Sequence, residues 1–157
     1  MDFIGVYERK MDDKCRISIP ICLLDTLRKQ GASGLFLVPS ADRYHFDLFS
    51  SDYIEENFAN LEYERGSTIF GRIQKTNIDA AGRLQISKDF ARKNFPSSHV
   101  LFIKTPNVIQ IWDPVNFEEA EKAEIRVLHN WNKLAKAAKQ EETDLLSFIK
   151  SEHHTVR

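Results

Sequence analysis

The sequence predicts an α+β protein, rich in β-strands, that contains two copies of one module and ends in helices. A repeated segment, an alternating apolar strand after each repeat and a charged, alanine-rich end together support this class. The 157 residues are enough for one domain or two very small ones. Halves of about 70 residues have marginal cores, so we expect them to pack against each other or against other subunits.

The repeat relates residues 11–20, MDDKCRISIP, to residues 78–87, IDAAGRLQIS. Each segment contains an Asp-x-x-x-Arg motif, and the two motifs lie 67 residues apart. Further along, LFLV at 35–38 resembles VLFI at 100–103, so the order of the segments is kept. A duplicated module is therefore predicted. The motif residues are Asp12 and Arg16 in the first copy and Asp79 and Arg83 in the second.

Each copy is predicted to begin with a strand that ends near Met11 or Ile78, followed by the motif turn and a short alternating strand. A short helix comes next; it begins after Pro20 and ends at Gly31 in the first copy, and Ser87 caps it in the second. Two further strands and a second helix complete each copy. The predicted strands are 34–38, 44–49, 99–103 and 107–112, and the second helices are capped by Ser50 or Ser51 and by Asp113.

The last part of the chain, from about Ala120, is rich in alanine, lysine and glutamate, with apolar residues at helical spacing. This pattern predicts a long amphipathic helix, followed by a separate short helix around 145–149. Gly66 is the predicted boundary between the two copies. We expect a first module at 3–65, a second module at 66–119 and a helical extension at 120–157.

The composition excludes several classes of protein. Cys15 and Cys22 are too few for a disulfide framework or a four-ligand zinc site. No signal-peptide pattern or apolar run of the ~18 residues needed to span a membrane is present, so a cytoplasmic protein without a membrane partner is expected. No nucleophile–base pair, phosphate-binding glycine loop or metal cluster is recognisable. We expect neither catalysis nor a cofactor, a metal or a small-molecule substrate.

The charge is unevenly distributed, although the net charge of −1 by itself argues mildly against nucleic acid. Residues 66–95 carry a balance of +4, whereas residues 40–65 carry a balance of −5. A near-neutral chain of this kind can present a polarised surface once several copies assemble.

The motif turns have a physical logic of their own. An Asp side chain at the start of a turn accepts hydrogen bonds from backbone amides two or more residues on. Gly82 suits a position with positive φ. An Asp–Arg ion pair across each turn would hold the guanidinium in place. Spacing favours this structural role for the arginines, and contact with DNA remains the open alternative.

The segment Phe3–Tyr7 leading into DDKCRISIP, together with the later DAAGRLQIS, resembles the MraZ family, over residues 3 to about 120. This is a family of the AbrB-like class with two Asp-x-x-x-Arg motifs. The resemblance implies double-ψ or swapped-hairpin modules forming one barrel with a pseudo-two-fold axis. It also implies a ring homo-oligomer that binds tandem direct repeats in the promoter of its own cell-division and cell-wall operon and associates with the nucleoid.

By position, the resemblance assigns DNA contact to Arg16 and Arg83, and to Lys14 just before the turn position that is usually glycine. Three departures from the family pattern stand out: Cys15 replaces that glycine, Ala81 replaces a lysine, and Ser87 replaces a proline. The first must either change the turn or bear about 1 kcal/mol of left-handed backbone strain. Arg9, Lys10 and Lys75 are further candidates for phosphate contact.

Two other functions stay open on the sequence. One is an oligomeric scaffold that binds protein, which the near-zero net charge permits. The other is an antitoxin-type or transition-state regulator of the same fold. Such regulators usually carry one module per chain, so the duplication argues against it.

Overall fold

A computed structural model describes residues 5–29, 34–42 and 44–155, with side chains up to residue 151. The chain divides into two compact units, Met1–Glu118 and Glu119–Arg157. The fold is α+β with antiparallel strands and a C-terminal helix, as the sequence predicts. No helix in these described ranges is long and apolar enough to cross a membrane.

The same four strands recur in each copy, in the same order. The first copy contains β1 (Gly5–Lys10), β2 (Arg16–Ser18), α1 (Ile21–Lys29), β3 (Leu35–Pro39), β4 (His45–Ser50) and α2 (Ser51–Arg65). A 3-10 helix at Ser67–Arg72, which the sequence did not predict, joins the copies. The second copy contains β5 (Gln74–Thr76), β6 (Arg83–Gln85), α3 (Lys88–Asn94), β7 (His99–Lys104), β8 (Ile109–Trp112) and α4 (Pro114–Thr155).

Six strands form one antiparallel sheet in the order β1-β7-β8-β4-β3-β5. The first strand of each copy is hydrogen bonded to the third strand of the other copy: β1 pairs with β7, and β5 pairs with β3. Strands β4 and β8 pair at the centre. The two remaining strands, β2 and β6, pair with each other as a separate two-stranded ribbon. The copies are therefore joined by backbone hydrogen bonds at four strand pairings.

The core lies between the ribbon, the sheet and the helices. Ile17 of β2 and Leu84 of β6 face each other in the ribbon, and both are fully buried. They join one cluster with Phe102 and Ile111 of the sheet. Burial of each such side chain contributes roughly 1.5–3 kcal/mol. The alternation read from the sequence thus fixes which face of the ribbon points inward, because successive residues of a strand point to opposite faces.

The helix starts follow the predicted caps. The Ser87 hydroxyl accepts a hydrogen bond from the amide of Phe90, and the Ser50 hydroxyl accepts one from Tyr53. The Asp113 carboxylate accepts from the amide of Asn116, at 3.3 Å. These bonds satisfy amides that a helix leaves unpaired in its first turn. The predicted end of α1 at Gly31 lies outside the described residues.

One prediction about the helices was wrong. The separate helix expected around 145–149 is part of α4, which runs without interruption over 42 residues. No glycine or proline occurs between residues 115 and 155, so no residue breaks the helix. Phe58 of α2 is 50% exposed and stacks on Phe70. Asn57 departs from helical geometry, with φ −117° and ψ 16°. Because of this kink, the residues of α2 after Asn57 do not continue the helical face formed by those before it.

Candidate nucleic-acid interface

The first motif turn is built around the Asp12 carboxylate. Its Oδ1 accepts hydrogen bonds from the amides of Lys14, at 3.0 Å, and Arg16, at 2.8 Å. Its Oδ2 accepts from Nε of Arg16, at 2.8 Å. The backbone closes the same loop, since the amide of Asp12 donates to the carbonyl of Arg16. The predicted Asp–Arg ion pair is therefore confirmed in the first copy.

The second turn repeats this geometry around Asp79. Its Oδ1 accepts from the amides of Ala81, at 3.0 Å, and Arg83, at 2.9 Å, and its Oδ2 accepts from Nε of Arg83, at 2.8 Å. The amide of Gly82 donates to the carbonyl of Asp79, as that of Cys15 does to Asp12. The duplication thus extends to individual hydrogen bonds.

These hydrogen bonds change the ionisation of both carboxylates. The pKa of Asp12 is lowered, chiefly because its carboxylate accepts from the backbone amide of Arg16, with the Arg16 side chain adding to the effect. The pKa of Asp79 is lowered for the same reason by Arg83. A donor that bonds only to the charged form favours that form. Both turns therefore hold their aspartates ionised.

Cys15 and Gly82 occupy the same left-handed position of the two turns, with φ of 58° and 77°. Of the two outcomes that the sequence left open for Cys15, the turn keeps its conformation and the cysteine bears the strain, about 1 kcal/mol. Gly82 has a further constraint, because a Cβ there would lie 2.8 Å from Cδ2 of Leu24. Cys15 instead lines a cavity beside Ala91.

The two turns sit at opposite ends of the β2–β6 ribbon. In its register Arg16 pairs with Gln85 and Ser18 pairs with Arg83. Equivalent bonds fasten each turn to the other copy: the amide of Ile86 donates to the carbonyl of Cys15, and that of Ile19 donates to Gly82. The ribbon and both turns therefore form one continuous structure.

One face of the ribbon points inward through Ile17 and Leu84, so the residues on either side of them share the opposite face. Both motif arginines lie on this outer face. The side chain of Arg16 is 27% exposed and that of Arg83 is 33% exposed. The outer-face residues are Arg16, Ser18, Arg83 and Gln85.

Each arginine uses only part of its guanidinium to hold the turn. Nε donates to the aspartate, while among the described residues neither terminal nitrogen of Arg16 or Arg83 donates a hydrogen bond. An arginine carries five N–H donors, four of them on those terminal nitrogens. The ion pair orients the guanidinium and leaves its outer edge available. The structural role and a binding role are thus compatible in the same side chain.

The other predicted basic residues are dispersed around this centre. Lys14 is exposed within the first turn, and its carbonyl accepts a hydrogen bond from the Gln85 side chain at 2.8 Å. Lys10 is exposed at the end of β1, next to the turn, whereas Arg9 is half-buried and donates to the carbonyl of Glu8. Lys75 lies on the edge strand β5 and lines a cavity with Glu55 and Phe36, apart from the turns.

Lys10 belongs to a group of cations around a cavity of about 470 Å³ beside the first turn. Lys88 and Arg92 of α3 line the same cavity, as do the carboxylates of Asp12 and Asp13. These two α3 residues thus lie next to the first motif turn, where their charges add to that of Lys10.

Ser18 and Gln85 are the members of the outer face that sequence reasoning missed. Both are exposed. The signal was present: once Ile17 and Leu84 are taken as inward-facing, alternation places their neighbours outward beside the motif arginines. The register that brings them together across two strands is a property of the fold.

Comparison with known proteins agrees with the duplicated motif. No protein-family model matches the chain. It is 26% identical over 126 residues to a Pelagibacter ubique protein named Transcriptional regulator MraZ, which covers 74% of this chain and 81% of the relative. A protein of the same name from Xanthobacter autotrophicus is 26% identical, over 71% of this chain and 77% of its own length. Another from Rickettsia rickettsii is 24% identical, over 81% of this chain and 91% of its own length. These matches, with the two Asp-x-x-x-Arg turns, support the resemblance of the chain to the MraZ family.

Proposed function

We propose that this protein is a sequence-specific DNA-binding transcriptional regulator that represses its own cell-division and cell-wall operon. It acts in the cytoplasm, associated with the nucleoid, by binding tandem direct repeats in its promoter as a ring homo-oligomer. Similarity to proteins named transcriptional regulators supports the regulatory part of this proposal.

The observation that carries DNA binding is the outer face of the β2–β6 ribbon, which holds two pre-oriented arginines. An antiparallel two-stranded ribbon is one of the two elements that fit the major groove of B-DNA, which is about 12 Å wide. Three-residue strands span roughly 10 Å, so the ribbon can enter the groove along its whole length. The free edges of Arg16 and Arg83 then face base edges or phosphates.

Neighbouring side chains suit the same ligand. Gln85 and Ser18 are uncharged hydrogen-bonding groups beside the arginines, of the kind that read base edges. Lys14 and Lys10 flank the first turn as phosphate contacts, and we assign Lys75 a peripheral role because it lies on β5. Arg9 has a weaker claim, since it is half-buried and its side chain bonds the backbone.

One chain offers few such contacts, so a single copy binds DNA weakly. A ring repeats the ribbon several times, and operator repeats about one helical turn apart, roughly 10–10.5 bp, would engage several ribbons on one face of the DNA. The combined affinity then exceeds that of each copy without any new kind of contact.

We further infer that residues 3–65 and 66–119 form a single swapped-hairpin barrel of the double-ψ type with a pseudo-two-fold axis, and that residues 120–157 extend from it. The pairing of each copy's first strand with the other copy's third strand supports this arrangement, as does the mutual pairing of β2 and β6. On this view the DNA-binding ribbon exists only when both copies fold together.

The test is a gel-shift titration on DNA from just upstream of the gene, with Arg16→Ala and Arg83→Ala. We expect each variant to lose operator binding, because loss of a bidentate contact in each copy, about 1–3 kcal/mol, is multiplied over the ring. Binding by the unaltered protein should fall steeply along a log–log line as salt rises. Arg126→Ala, which removes an exposed arginine of α4, is the matched control and should bind normally.

Oligomer size, measured by light scattering on the same variants, separates the two roles of the arginines. Unchanged size with lost binding supports direct DNA contact. Dissociation or unfolding of both arginine variants would mean that the ion pairs serve the turns alone. Affinity for the operator that does not depend on salt would favour the protein-binding scaffold instead.

A further inference from the structure

Helix α4 carries a stripe of large apolar side chains in solvent. Trp131 and Leu134 are each 68% exposed, and Leu145 and Phe148 are each 59% exposed. Leu128, Trp131 and Leu134 are three residues apart, Leu145 follows 11 residues (about three turns) after Leu134, and Phe148 and Ile149 follow Leu145 by three and four residues. All six therefore lie on one face of the helix. A 42-residue helix is about 63 Å long, and an apolar stripe on it is typical of a surface that another helix covers.

The order of large and small side chains along the stripe is nearly the same in both directions of the helix. Bulky residues stand at its two ends, and the small residues Ala135 and Ala138 stand between them. If a second copy of the helix lies antiparallel, with the two-fold axis between Lys139 and Gln140, Trp131 meets Phe148 and Leu134 meets Leu145. A two-fold contact needs this kind of self-complementary surface.

Charge selects the same orientation. Glu142 interrupts the apolar stripe, and Lys139 flanks it. A parallel pair in register would place Glu142 against the same residue of the other copy, two like charges in a partly desolvated contact. In the antiparallel pair, Glu142 of one copy lies beside the small alanines of the other copy and near its Lys139. Within the described part of α4 neither residue forms an ion pair, so both charges are available to a second chain.

We propose that the stripe on α4 is an interaction surface for α4 of a second copy of this chain, paired antiparallel. This contact is independent of DNA and of the β2–β6 ribbon. In a ring it would join two assemblies, or two subunits, through an isologous two-fold contact in addition to the contacts that close the ring.

Cysteine cross-linking of the full chain, with Cys15→Ser and Cys22→Ser, tests the orientation. Leu134→Cys combined with Leu145→Cys should form disulfide-linked dimers, because these positions face each other across the proposed axis. Each single replacement should not, since equivalent residues of antiparallel helices lie about 16 Å apart along the axis. Dimers from either single variant would overturn the antiparallel arrangement, and no dimers from any variant would overturn the second copy as the partner.

Self-association measured by analytical ultracentrifugation provides the energetic test. Trp131→Glu should raise the dissociation constant on the order of 100-fold, since both copies lose a buried aromatic side chain. Lys139→Glu and Glu142→Lys should each weaken association, and the double exchange should restore it. Lys133→Glu, on the opposite face, is the control. If all the charge variants associate equally, the proposal is contradicted. Helix content measured by circular dichroism checks that α4 remains folded in each variant.

Discussion

The two motif turns have the same hydrogen bonds but different residues at their left-handed position. In each, one aspartate oxygen holds two amides and the other holds an arginine Nε. Yet Cys15 stands in the first turn where Gly82 stands in the second, at nearly the same φ. The shared bonds show what the turn requires, and the difference shows what its surroundings permit.

The surroundings differ because each turn lies beside the helix of the other copy. Gly82 lies under Leu24 of α1, which leaves no room for a Cβ. The residue equivalent to Leu24 in α3 is Ala91, 67 positions later, and it lines the cavity beside Cys15. The second turn thus combines a glycine with a large neighbour, Leu24, whereas the first turn combines a cysteine with a small neighbour, Ala91. We infer that the two pairs are alternative ways to fill the same space.

Replacing the residue at the left-handed position should destabilise the protein most when the change is made in the second turn. Gly82→Cys adds a Cβ at φ 77° and 2.8 Å from the Leu24 side chain, so strain and overpacking combine. We expect the free energy of unfolding, measured by urea titration, to fall by about 2–4 kcal/mol.

The reverse change is the matched control. Cys15→Gly removes the left-handed strain but frees the unfolded chain, so stability should change by less than about 1 kcal/mol. Adding Leu24→Ala to Gly82→Cys recreates the pair found in the first copy. In a double-mutant cycle the two changes should couple favourably by about 1 kcal/mol. Simple additivity would show that Leu24 is not what excludes a side chain at Gly82.

The turns also differ in charge, because Lys14 of the first corresponds to Ala81 of the second. If both turns approach phosphates, Lys14→Ala should lower the slope of log affinity against log salt by about 1 for each bound copy, and Ala81→Lys should raise it by a similar amount. Fluorescence anisotropy on operator DNA over a salt series measures both slopes. A response to Lys14→Ala without one to Ala81→Lys would mean that only the first turn lies close to the DNA backbone.

Much of each turn could be predicted from the sequence because its interactions span four residues. The Asp–Arg ion pair, the positive φ of Gly82 and the cap at Ser87 all depend on near neighbours in the chain. The continuity of α4 could also have been predicted, since no helix-breaking residue lies between 115 and 155. Reading its apolar segments as separate helices gave too much weight to their spacing.

The pairing between the copies could not be predicted in this way. Alternation shows which face of a strand is buried, but it carries no information about which strand pairs with it. The exchange of β1 and β5 between copies, and the register that places Arg16 opposite Gln85, arise from contacts between residues at least 37 positions apart in the chain. The space for the Cys15 side chain likewise lies beside a distant residue, Ala91, so the sequence left two outcomes open for this turn.

Acid titration should reveal the smallest difference between the turns, since both aspartates are about one-third exposed and similarly bonded. The pKa values of Asp12 and Asp79 in the folded state lie below the usual value of about 3.9. The stability that the ionised aspartates contribute is therefore fully present above about pH 3.9 and is lost as the pH falls through their folded-state pKa values. Asp12→Asn and Asp79→Asn should each lower the unfolding midpoint at neutral pH, lose less stability on acidification, and approach the unaltered protein near pH 2. Because the same amide and guanidinium donors lower both pKa values, the two variants should have acid limbs of equal slope in thermal unfolding from pH 7 to pH 2. A steeper limb for one turn would show that its ionised aspartate contributes more to the ribbon than its counterpart does.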